Sequence, residues 1–199
     1  MIGIIDYGMG NINAFQNIYN ENGIETKIIT NIDDFDKELK KIILPGVGSF
    51  DHAIKSLRTR GLLEIIENYI KNPKNFFLGV CVGMQILCSS SEEGSETGLS
   101  LFKQKIKKFK DIPLPHMGWN TVDILKKDPL LKEIPNNSEF YFLHSFYFQN
   151  KNTESTLCNT NYNYLFSSII KKNNVYGIQF HPEKSHETGK KILINFHNI

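Results

Sequence analysis

Residues 76–87, FFLGVCVGMQIL, constrain this chain more than any other stretch. From Phe76 to Val80 the run is apolar except for Gly79, too short for an amphipathic helix and lacking the alternation of a half-exposed strand. That pattern predicts a strand buried on both faces in the middle of a parallel sheet. Residues 84–88 have helical character. Between the two lies Gly79-Val80-Cys81-Val82-Gly83, a G-x-C-x-G that is the cysteine form of a nucleophile elbow. The glycines permit a sharp turn with the Cys81 sulfur at its tip. A helix N-terminus beside that sulfur favours thiolate. A free cysteine is equally an ordinary small core residue, so the catalytic reading requires a base elsewhere in the chain.

The elements on either side predict an α/β fold. Residues 1–6, 26–30 and 41–44 read as strands, and residues 12–19, 51–57 and 62–71 as helices. The loop Tyr7-Gly8-Met9-Gly10-Asn11 joins the first strand to the first helix. It lacks the third glycine of the dinucleotide fingerprint, which leaves a tight turn or a partner contact as its expected role. Pro45-Gly46-Val47-Gly48 follows the third strand, on the edge of an open sheet where ligands bind. Amides of Val47 and Gly48 there, with that of Val82, can form an oxyanion hole; an ordinary Pro-Gly turn is the simpler alternative.

Residues 89–98, rich in serine, glutamate and glycine, predict a surface loop, with Glu92 and Glu93 as solvated charge or as a seat for a ligand ammonium. Residues 105–109 and 121–125 read as half-exposed antiparallel strands, separated by a loop, Pro115-His116-Met117-Gly118-Trp119-Asn120, that holds the single tryptophan. Residues 139–148 form an aromatic strand pair or bend. His144 within it is either a hydrogen-bonded core residue or a site residue. Residues 175–180 are the last strand and 188–196 the last helix.

A cysteine nucleophile needs a base, and the base an orienting group. His181-Pro182-Glu183 directly after the last strand offers both. On an extended backbone, side chains at i and i+2 point the same way, and Pro182 biases His181 towards extended. Glu183 can then hold the imidazole in the tautomer that turns its other nitrogen to Cys81.

GVCVGMQIL together with GIQFHPEKS resembles the class I, triad-type glutamine amidotransferases. Within that class IIDYGMGN, LPGVGSF, PHMGWN, YFLHSF and FHPEKS resemble the branch of glutaminase subunits of imidazole glycerol phosphate synthases. The resemblance implies a flavodoxin-like amidotransferase fold: a mostly parallel central sheet flanked by helices, with an additional small antiparallel sheet. It implies the triad Cys81, His181 and Glu183, and an oxyanion strand at Gly46-Val47-Gly48. L-Glutamine would be held around Gly48, Gln85, Glu93, His144, Ser145 and Phe146, Phe146 standing where relatives often carry tyrosine. Asn11, Trp119, Tyr141 and Lys184 match positions facing the partner, a (βα)8-barrel cyclase, in a heterodimer. No cofactor and no metal are implied. A paralogous pathway, in which the ammonia modifies surface-polysaccharide sugars, is the alternative, and an inactive glutaminase-fold binding subunit is another.

Bulk properties agree. The 199 residues suffice for one domain with its own core. A net charge of +2, spread along the chain, points to neither nucleic acid nor a polyanionic surface. No leader and no apolar run near 18 residues stands out, so a soluble, cytoplasmic chain without membrane contact is expected. Three cysteines without a CxxC argue against a disulfide framework or zinc cage.

Overall fold

The computed structural model describes residues 1–36, 38–149 and 154–199. β1 (Ile2–Ile5), buried at every position, leads through the Gly8–Gly10 turn into α1 (Ile12–Glu21), then β2 (Thr26–Ile29) and β3 (Lys41–Leu44). Asn11 accepts the Ala14 amide on its side chain and so caps α1. α2 (Phe50–Thr59) buries Phe50, Ala53, Ile54 and Leu57, the spacing of a single helical stripe, and α3 (Leu62–Lys71) buries Leu62, Ile66 and Tyr69. β4 (Phe76–Val80) follows, with Phe77 and Leu78 wholly inaccessible. Each such side chain contributes about 1.5–3 kcal/mol by leaving water.

Beyond β4 the helix expected over residues 84–88 is only one turn, α4 (Val82–Gln85), and Cys88 already belongs to β5 (Cys88–Ser91). The backbone shows why. The carbonyls of Ile86 and Leu87 accept from the amides of Leu99 and Phe102 rather than from a continuing helix. The surface loop expected over residues 89–98 therefore begins inside a strand, and Ser91 is buried. β6 (Phe102–Lys108) pairs parallel with β5.

Residues 115–120, expected as a loop, lie largely in β7 (His116–Ile124). This strand runs antiparallel to β8 (Ser138–His144) in continuous register from His116 opposite His144 to Val122 opposite Ser138. Gly118, at φ +124°, accommodates a backbone that a side chain would strain. The aromatic segment breaks at Ser145 into β8 and the short β9 (Phe146–Tyr147), which pairs antiparallel with β6. A hairpin that the sequence reading passed over, β10 (Thr156–Tyr162) and β11 (Tyr164–Lys172), turns at Asn163 in the left-handed region. β12 (Val175–Ile178), a 3₁₀ turn at Pro182–Lys184 and α5 (His186–Asn198) complete the chain.

Among the described residues the strands form a nine-stranded sheet in the order β2-β1-β3-β4-β12-β11-β10-β7-β8, and a three-stranded sheet β5-β6-β9. From β2 to β12 all neighbours are parallel; from β12 to β8 all are antiparallel. The mostly parallel centre and the second small sheet are as expected, while the antiparallel strands mainly extend the central sheet and the small sheet is mixed. β4 lies between β3 and β12, with Leu44 opposite Gly79 and Ile178 opposite Val80. Three adjacent strands thus end at one edge and deliver Pro45–Gly48, Cys81 and His181 to one place. No helix of the described residues is long and apolar enough to cross a membrane.

Candidate active site

The elbow is built by close approach. A Cβ on Gly79 would lie 2.4 Å from the Gly83 carbonyl oxygen, and one on Gly83 would lie 2.1 Å from that of Leu44. Both glycines let α4 press onto β4 and β3. The left-handed conformation falls instead on Cys81 itself, at φ 54° and ψ −109°. Such a conformation costs about 1–3 kcal/mol in a residue with a side chain. It is held from both sides: the Cys81 amide donates to Ile178 at 2.8 Å, and its carbonyl accepts from Met84 at 3.0 Å and Gln85 at 3.1 Å. The four-residue α4 is too short to supply much dipole, so the charge beside the sulfur comes from elsewhere.

His181 supplies it. Its amide donates to the Tyr141 carbonyl at 2.8 Å, and the Ser185 hydroxyl donates to its carbonyl at 2.6 Å. Nδ1 donates to Glu183 Oε1 at 2.9 Å, both side chains being 2% exposed. The i, i+2 pairing was expected from extended backbone; Glu183 reaches the ring from a 3₁₀ turn instead. Nε2 is buried without a hydrogen-bond partner among the described residues. Burial alone would push the imidazole pKa down; the facing Cys81 charge and the Glu183 carboxylate outweigh it and raise it to about 10. The Cys81 sulfur itself approaches the Leu143 carbonyl oxygen at 3.7 Å. Cys88 and Cys158, both fully buried, have their thiol pKa values pushed well up by burial, opposite to what a nucleophile requires.

Cys81 opens into a cavity of about 290 Å³. Val47, Gly48, Val82, Gln85, Glu93, His144, Ser145, Phe146 and His181 line it, as do Pro115 and Leu143, which the sequence reading did not select. Gly48 stands at φ +96°, closed to other residues, and a Cβ on it would lie 2.8 Å from Met9 Cε. The two glutamates take different parts. Glu92 is a surface partner of Lys107 at 2.7 Å. Glu93 Oε2 accepts from the Phe50 amide at 2.7 Å at the cavity wall. Its pKa is raised, chiefly by burial; a bound ammonium would relieve that cost.

His144 is a hydrogen-bonded histidine in the cavity wall. Its Nδ1 donates to the Phe146 carbonyl at 2.8 Å and its Nε2 accepts from His116 Nδ1 at 2.9 Å, whose Nε2 accepts in turn from Asn120 at 3.1 Å. Burial lowers His144 to about 3 and His116 to about 4, so both are neutral. With both ring nitrogens engaged, His144 shapes the cavity and holds the Phe146 backbone. Gln85 Nε2 donates to the same carbonyl at 3.1 Å and to Gln179 Oε1 at 3.2 Å, while Gln179 Nε2 approaches Cys81 Sγ at 3.7 Å. Gln179 was missed; a glutamine in the apolar run VYGIQF was its signal.

Trp119, 45% exposed, stacks on His186 with ring centres 4.9 Å apart and meets Tyr141 edge-on; the Lys184 ammonium lies 5.8 Å from the Tyr141 ring. Trp119, Tyr141 and Lys184 thus form one cluster beside His181. Asn11 is exposed on the Gly10 loop, which packs against Pro45.

The family model for class-I glutamine amidotransferases matches residues 3–199. The imidazole glycerol phosphate synthase subunit HisH of Bdellovibrio bacteriovorus is 44% identical over 205 residues, covering all of both chains. The chain belongs to the class-I glutamine amidotransferases, in the HisH family. A HisH protein of Methanococcus maripaludis shares 43% identity with this amidotransferase over 98% of each chain. Among solved structures, a glutamine amidotransferase superposes with TM-score 0.76 at 15% identity, over 100% of this chain and 99% of the other. PurLQS from Thermotoga maritima superposes with TM-score 0.75 at 18% identity, over 99% and 97%. At those identities the two structures speak for the amidotransferase fold.

Proposed function

We propose that this chain hydrolyses L-glutamine to glutamate and ammonia through a thioester on Cys81. The ammonia passes to a (βα)8-barrel cyclase subunit that makes imidazole glycerol phosphate in histidine biosynthesis. The observation that carries the chemistry is the strained Cys81 at the wall of a cavity, with the His181–Glu183 pair delivered beside it by the neighbouring strand. The HisH names of relatives at 39–44% identity support the pathway.

In this reading Glu93 takes the glutamine ammonium, and the carboxamide enters between Cys81 and the 46–48 loop. The thiolate attacks the carboxamide carbon, and the oxyanion is held by the amides of Val82 and of Val47 or Gly48. Each such donor contributes about 3–4 kcal/mol, or about 10²–10³ in rate. The imidazolium gives its proton to the leaving nitrogen, ammonia departs, and the neutral imidazole then takes a proton from water as it attacks the thioester. Glutamate leaves and the thiolate–imidazolium pair is restored. Free ammonia protonates near neutral pH and loses its nucleophilicity, which favours delivery inside a heterodimer. Trp119, Tyr141, Lys184 and Asn11 would meet the partner. The 46–48 loop presents either a carbonyl or an N–H to Cys81, and partner binding selects the N–H.

The test is glutaminase activity of the purified chain with and without the cyclase subunit and its acceptor. Low activity alone and a large rise in the complex are expected. Cys81→Ala should abolish glutamine-dependent synthesis and spare ammonia-dependent synthesis. Full activity of the single chain would remove the loop switch, and an active Cys81→Ala variant would remove the thioester.

A further inference from the structure

The Tyr7-Gly8-Met9-Gly10-Asn11 loop is tied to the site by its first residue. Tyr7 is 1% exposed, yet its hydroxyl has no hydrogen-bond partner among the described residues. Buried phenol hydroxyls nearly always find a partner, because an unpaired polar group in the interior is costly. What this one lies against is therefore informative. A Cβ built on Gly46 would come within 2.8 Å of the Tyr7 hydroxyl oxygen, 2.8 Å of the Gly83 amide nitrogen and 3.0 Å of Val82 Cβ. The hydroxyl thus sits in the seam between the 45–48 loop and the elbow helix. Burial, reinforced by the Cys81 charge, raises the phenol pKa and keeps the group a neutral O–H donor.

We propose that Tyr7 is a positioning residue of the oxyanion hole, its hydroxyl donating to the Gly46 carbonyl when the Gly46–Val47 peptide turns its N–H towards Cys81. This rests on the glutaminase reading and deepens it. A peptide that turns exchanges the sides of its carbonyl and its N–H. A Gly46 carbonyl turned away from Cys81 would lie in the protein interior, where Gly46 is buried and a carbonyl needs a donor. The Tyr7 hydroxyl stands 2.8 Å from where a Cβ on Gly46 would be and holds an uncommitted O–H. In the resting chain that donor is idle; in the turned state both it and the carbonyl are satisfied. The hydroxyl therefore favours the catalytic arrangement selectively, by a hydrogen bond absent from the resting one. Gly46 must remain glycine for the same contact to exist.

Tyr7→Phe removes the hydroxyl and little else. In the complex with the cyclase subunit and its acceptor, the glutaminase kcat should fall about tenfold, the loss of one hydrogen bond made only in the active state. The KM for glutamine should stay within about twofold, and ammonia-dependent synthesis reports that the complex is intact. Thermal unfolding of the isolated variant should show a Tm equal to or above that of the parent, since the deleted hydroxyl had no partner at rest. A kcat equal to the parent in an active complex would overturn the role of Tyr7 alone. A Tm lowered by more than about 3 °C would show that the hydroxyl is already bonded at rest, and would also overturn it. A parent complex with no glutaminase activity would overturn the glutaminase reading, and this proposal with it.

Discussion

Replacing Glu183 by glutamine tests the triad most directly, because it keeps the shape and removes one charge. The carboxylate oxygen lies 2.9 Å from His181 Nδ1, and both side chains are 2% exposed. Two unit charges at that separation attract by about 6 kcal/mol at an effective dielectric of about 20. A glutamine carbonyl recovers about 1 kcal/mol as a neutral hydrogen bond. The difference of about 5 kcal/mol corresponds to about 10³–10⁴ in kcat, in line with orienting acids of other triads. The amide can also turn its NH₂ towards Nδ1, which moves the ring proton to Nε2 and leaves no base facing Cys81. The pH profile carries a second signature. The folded His181 pKa, about 10, lies above the ordinary value near 6.5. Stabilisation of the imidazolium is thus complete below about 6.5 and lost as pH rises through about 10. Without the Glu183 charge the alkaline limb should move to lower pH. Steady-state glutaminase assays of the complex between about pH 6 and 10, with circular dichroism to verify the fold, measure both effects. A kcat within about threefold of the parent, or an unmoved alkaline limb, would refute the argument.

A glutamine-mimicking electrophile should label Cys81 and spare Cys88 and Cys158, whose thiols burial keeps protonated; peptide mapping showing label mainly on Cys88 would contradict the assignment. Glu93→Gln should raise the KM for glutamine about tenfold or more with kcat nearly unchanged, since a charged hydrogen bond to the ammonium is worth about 1.5–3 kcal/mol in ground and transition state alike. A kcat effect without a KM effect would move Glu93 from substrate binding to the chemistry.

Local chemistry made the core of the site legible. The glycines at 79 and 83 are dictated by carbonyls 2.4 and 2.1 Å from where a Cβ would stand, and the unbroken apolar run before Cys81 can only be a strand buried on both faces. The pairing of His181 with Glu183 depends on residues two apart, and it survives although the extended backbone of His181 gives way at Pro182 to a 3₁₀ turn. Elements that depend on distant partners were not legible. TLCNTNY reads as polar, yet as β10 its Cys158, Asn159 and Thr160 are buried between β11 and β7, which lie far from it in the chain or across a hairpin. PHMGWN has no period of its own, and becomes strand because β8 pairs with it residue by residue. The same distance hid Gln179 and His116, whose partners Gln85, Cys81 and His144 are 94, 98 and 28 residues away. Backbone turns and adjacent side-chain pairs are decided within a few residues, so the sequence by itself determined the candidate nucleophile and the candidate base. Strand pairing and buried hydrogen bonds are decided by whatever the fold brings opposite, so only the tertiary structure could complete the cavity around them.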